Sequence, residues 1–130
     1  MGLDMFLYGV KYYSKYNTNR EKTQIVQTQE IYWRKANHIH KWFVDTVQDG
    51  IDDCRRCEVM EDNLKQLLTN CEYVLQHRDR ASEVLPTQEG FFFGNTEYDD
   101  WYFEETKRTA QEIKKVLESD YDWYEYSSSW

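Results

Sequence analysis

Met60, Leu64, Leu67, Leu68, Cys71, Val74 and Leu75 recur at steps of three and four along a stretch whose other positions are mostly polar or charged. At 3.6 residues per turn that spacing gathers the apolar side chains on one stripe of a helix over about 61–77. Such a stripe has to be buried against something else. Two further stripes repeat the demand. Trp33, Ala36, Ile39, Phe43, Val44 and Val47 predict a helix over 33–48 that stops at the turn Asp49-Gly50. In it His40 sits in mid-stripe and Asn37 at the edge, while Arg34, His38, Lys41, Trp42 and Asp45 point away. Tyr98, Tyr102, Thr106, Thr109, Ala110, Ile113, Val116 and Leu117 predict a third helix over 97–118. Thr96 and Asp99 form its capping box, and Glu104 with Arg108 an outward i,i+4 pair.

The chain ends have a different rhythm. Residues 3–13 (LDMFLYGVKYY) are aliphatic and aromatic with little interruption, as in a strand buried on much of both faces. Residues 121–128 alternate, with Tyr121, Trp123 and Glu125 on one face and Asp122, Tyr124 and Tyr126 on the other. Residues 14–24 are turn-prone, and shorter strands fit 25–32 and Glu58-Val59. The expected fold is therefore α+β. About three helices pack on a small, mainly antiparallel sheet that includes the N- and C-terminal strands. A length of 130 residues suits one domain, 1–130.

No apolar run reaches the ~18 residues of a membrane span, and the first residues lack the pattern of a signal peptide. The expected location is the cytoplasm of a bacterial host cell. Charge is unevenly spread: residues 1–42 net +4, whereas 43–96 and 97–130 each net -6, within a total of -8. Phosphate neutralisation needs clustered cations, so direct nucleic-acid binding is not expected and a protein partner with a basic surface is.

Chemistry-bearing residues are scattered. Cys54 and Cys57 with Cys71, His38 and His40 invite a zinc reading, but two histidines two apart on a helix diverge by about 200°. Cys71 belongs to an apolar stripe, where the thiol acts as a small hydrophobe. Arg55 and Arg56 would lower the thiol pKa of the Cys54-x-x-Cys57 pair, yet the pair lacks a strand before it and a helix after it. Asp49, Asp52 and Asp53 do not keep EF-hand spacing. We expect neither metal nor cofactor. A histidine on an apolar face is more often a satisfied core group than a base, although Arg34, Asn37 and His40 converge at one helix end. No recognisable nucleophile accompanies them. The aromatics carry more weight: five Trp, eleven Tyr and six Phe exceed what three helices and a small sheet bury. Trp42 and Trp101, beside Glu104, Asp122 and Glu125, have the composition of an interface hot spot.

Several blocks together resemble a known family. These are Met1-Gly-Leu-Asp-Met-Phe-Leu, Tyr32-Trp-Arg-Lys-Ala-Asn-His-Ile-His-Lys-Trp-Phe-Val, Asp52-Asp-Cys, Leu85-Pro-Thr-Gln-Glu-Gly-Phe-Phe-Phe-Gly and Tyr98-Asp-Asp-Trp-Tyr. In this order, over nearly the whole chain, they look like a family of small proteins of bacteriophages and bacterial genomes. The resemblance implies a phage or prophage setting and no particular activity. In that setting the expectation is a non-enzymatic accessory protein that binds a host or phage protein. An acidic inhibitor of a nucleic-acid-handling or defence protein, in the manner of an anti-CRISPR, fits best. The alternative is a small-molecule binder or enzyme, with or without a metal, whose cleft joins Arg34, Asn37, His40, Asp53, Tyr98 and Trp101.

Overall fold

Strand β1 (Asp4–Tyr13) runs between two antiparallel neighbours, β2 (Gln24–Arg34) and β4 (Trp123–Ser129), and β4 carries the short β3 (Cys57–Val59) on its far side. The sheet order is β2-β1-β4-β3. The N- and C-terminal strands thus both belong to the sheet, as expected, and they form its middle. This computed structural model describes residues 2–18, 21–90 and 93–130. Phe91 and Phe92 of the aromatic triplet, Met1 of the first family-like block, and Asn19 and Arg20 of the turn-prone stretch lie outside the described residues.

Alternation decides which face is covered. Met5, Leu7, Ile31, Trp33, Val59, Tyr124 and Tyr126 point to the inner face and are buried. Against them lie α2 (Asn37–Val47), α3 (Glu61–Gln76) and α5 (Asp100–Leu117). The Phe43 ring stacks on Tyr126 at 4.0 Å, and Trp33 donates its indole N–H to Thr109 of α5 at 2.8 Å. Asp99 caps α5 by accepting from the Tyr102 amide at 3.0 Å.

The helices exceed the expected three, because single-turn helices α1 (Lys15–Thr18) and α4 (Ala81–Val84) join them, the latter after a 3-10 turn at Arg78–Arg80. Other expectations need correcting. Trp33 ends a strand and does not begin a helix: β2 continues to Arg34, and Lys35, at φ 57, turns the chain into α2. Tyr98 precedes α5, which is capped by Asp99 and not by Thr96. Phe103, which is not on the predicted stripe of α5, is buried as well. Arg108 pairs with Glu105 at 2.6 Å and not with Glu104, because its other contact, the Tyr32 carbonyl at 3.0 Å, draws it toward the sheet.

One glycine is dictated by packing. A Cβ at Gly9 would stand 2.4 Å from the ring of Tyr121, whose hydroxyl donates to Glu30. Glu30 is the extra residue of a bulge, since Leu7 faces Ile31 and Tyr8 faces Gln29. Tyr121 therefore lies over the inner side of β1, not on the face of Trp123. Gly9→Ala is expected to expel that ring and cost about 1–2 kcal/mol. In a double-mutant cycle by urea unfolding, Gly9→Ala should cost far less in a Tyr121→Ala background. Additive effects would contradict the packing account.

Candidate functional site

The turn between β2 and α2 places Arg34 and Lys35 at the rim of a cavity of about 400 Å³, whose other walls are Gly94, Asn95 and Trp101. The lysine's left-handed backbone is fixed by its amide, which donates to the Leu3 carbonyl at 2.8 Å. Trp101, in the first turn of α5, leaves 44% of its surface open. Among the described residues no carboxylate comes within 4.0 Å of either cation, unlike Lys11, Lys41, Arg56 and Arg108.

The far wall is held from beneath by one side chain. Asn37, buried at the start of α2, donates to the carbonyls of Phe93 at 3.0 Å and Asn95 at 2.9 Å, and accepts from the Gln88 amide at 2.9 Å. Three bonds from one amide fix a loop whose described residues form no helix or strand.

A second polar group lies deeper. His40 is fully buried, with Nδ1 2.6 Å from the Tyr126 hydroxyl and Nε2 2.9 Å from Asp52. Burial pushes the imidazole below its ordinary pKa, against the opposing pull of Asp52, so the neutral ring is favoured. Burial raises Tyr126 well above its ordinary value, and its hydroxyl stays protonated. The assignment follows: Tyr126 O–H donates to Nδ1 and Nε2–H donates to Asp52, whose other oxygen accepts from the Trp130 indole at 3.0 Å. Every lone pair and proton of the ring is engaged inside the protein. Two recesses of about 240 and 230 Å³ meet at Asp52 and Gln88, yet neither presents His40 with a free nitrogen for general-base work.

The expected cleft is therefore divided. Arg34 and Trp101 share one cavity, Asn37 supports its wall, and His40 belongs to the separate Tyr126–Asp52 string. Tyr98 bonds Thr87, accepting from its amide at 3.1 Å. Asp53 accepts from the Arg55 amide at 3.2 Å in the turn before β3. The expected interface disperses as well. Trp42 is buried, edge-on to Phe43 at 5.1 Å, while α5 covers the same helix at His38, whose Nε2 lies 3.0 Å from the Thr106 hydroxyl. The His38 ring is buried too, 4.0 Å from Tyr102. Glu125 is held by Arg56 at 2.7 Å, and Asp122 accepts from the Tyr12 amide at 2.6 Å. Trp101 and Glu104 remain exposed at the start of α5. Burial pushes the Cys71 thiol up to about 12, which removes it as a nucleophile or ligand at neutral pH. Among the described residues no three His, Cys, Asp or Glu side chains cluster as a metal site.

The outer face of the sheet supplies residues that the sequence left unassigned. Phe6 lies 5.5 Å from Tyr32 and 6.3 Å from Tyr8, and the Arg56 guanidinium sits 3.9 Å over the Tyr8 ring. Tyr32, Tyr12 and Ile25 expose 41%, 47% and 56% of their surface along the same face. The alternation of β1 carries this signal, since Phe6, Tyr8 and Tyr12 share one parity.

Comparison with models of protein families, with characterised proteins and with solved structures finds no match.

Proposed function

We propose that the protein acts by binding another protein and not by catalysis, as a phage or prophage accessory factor that occupies a host nucleic-acid-handling or defence protein. The outer face of the sheet carries the proposal. Its aromatic rings lie opposite the face on which the long helices pack. Both of its carboxylates named here are engaged within the protein, Glu125 by Arg56 and Asp4 as acceptor from the Tyr32 hydroxyl. An aromatic surface of this kind gains by excluding water from a partner at little cost in buried charge. The net charge of -8 steers a basic partner toward the molecule, and the rings supply the contact. The closed hydrogen-bonding of His40 argues in the same direction, because it leaves this imidazole without a free nitrogen for proton transfer.

The test compares wild type with Phe6→Ala/Tyr32→Ala in capture from bacterial host lysate, followed by affinity measurement with the recovered partner. Loss of two hot-spot rings should weaken the complex by about 2 kcal/mol or more, roughly thirtyfold. A partner held equally well by the folded double variant would place the binding surface elsewhere.

A further inference from the structure

We propose that the recess between Arg34, Lys35 and Trp101 binds a small anion attached to a flat ring, a mononucleotide in chemical class. Three observations converge there. The cavity of about 400 Å³ is of the size that small ligands fill. Among the described residues its charged lining consists of two adjacent cations, with no carboxylate within ion-pair distance of either, in a chain whose net charge is -8. Its wall includes a tryptophan that is 44% exposed, in the first turn of a helix where nothing requires an indole for the core.

The parts suit different portions of one ligand. Arg34 offers a planar fork of donors and Lys35 a compact charge, which together match a phosphate. Trp101 offers a π-face for a base, an interaction that tolerates any of the four bases. The walls are set before a ligand arrives, since Asn37 clamps Phe93 and Asn95, and the Lys35 backbone is held in a strained conformation at φ 57. Gly94, at φ 88, lets the loop approach: a Cβ there would stand 3.2 Å from that of Lys35. Across the loop the charge reverses, and the neighbouring recess of about 600 Å³ is lined by Glu89 and Glu97. This sorting favours one compact phosphate over a polyanion, which would meet the acids and the overall negative field.

The experiment is calorimetric titration of the full chain with AMP, and separately with adenosine, inorganic phosphate and an oligothymidylate. Saturable one-to-one binding of AMP is expected, at least tenfold tighter than adenosine or phosphate alone. Trp101→Ala and the pair Arg34→Gln/Lys35→Gln should each weaken it tenfold or more, with melting temperatures near that of wild type because all three side chains lie at the surface. An oligonucleotide that binds more tightly than AMP would overturn the free mononucleotide in favour of a strand end. The absence of saturable AMP binding at millimolar concentration, or undiminished binding by Trp101→Ala, would overturn the site itself.

Discussion

Asn37→Leu is expected to lower stability by about 3 kcal/mol or more, although leucine has the same branched outline and belongs in a core. The amide makes three bonds to the loop, and its removal strands two carbonyls and one N–H. Each buried group left unpaired costs about 1–3 kcal/mol, and the part-buried ones recover some of that from water. Asn37→Asp makes a sharper comparison. It keeps an acceptor for the Gln88 amide but turns an oxygen toward two carbonyl oxygens, so it should destabilise at neutral pH and recover as the new carboxyl is protonated. Urea unfolding checks both, and hydrogen exchange should show the Gln88 amide opening selectively. A loss below 1 kcal/mol for Asn37→Leu would mean that the loop is held by something else. The AMP affinity should fall in both variants, since the cavity wall rests on these bonds.

Asn37 also shows how far the sequence can be read. The helical stripes were legible because burial on one side imposes a period, and α3 and the inner residues of α5 follow it closely. The alternation of 123–126 likewise grouped Tyr124 with Tyr126, and the structure makes theirs the inner face of β4. The reading failed where two periods overlap. Trp33 fits the helical stripe that continues through Ala36 and also alternates with Ile31, and only the left-handed Lys35 and the N-cap Ala36 separate strand from helix. It failed again for α2, because a one-sided stripe presumes one-sided burial. His38 is covered by α5 and Asn37 by a loop from fifty residues downstream, Trp42 is buried as well, and no local pattern announces a long-range cover. For the same reason the sequence named Arg34, Asn37, His40 and Trp101 as one cleft, whereas the fold sorts them into a cavity, its support and a closed polar string.

Acidification from pH 6.5 to 5 is expected to cost the fold about 1.6 kcal/mol through His38 alone. Thr106 spends its only proton on the Tyr102 carbonyl at 2.8 Å, so its oxygen must accept from His38 Nε2, 3.0 Å away. The neutral ring thereby carries its proton on Nε2, and Nδ1 has no partner among the described residues to welcome a second. Burial pushes His38 from 6.5 down to about 3. Between those values the unfolded chain binds the proton and the folded one does not, so stability falls as pH falls, by about 1.4 kcal/mol per unit. The contribution is complete above pH 6.5 and exhausted near pH 3. His40, also lowered by burial, adds in the same direction. His38→Gln retains a donor for Thr106 without a titrating group. Urea midpoints measured at pH 7.5, 6.5, 5.5 and 5 should therefore fall more steeply for wild type than for the variant, the slopes differing by about one proton. Equal slopes would show that His38 is protonated in the native state, and would require Thr106 or the Tyr102 ring to turn away from it.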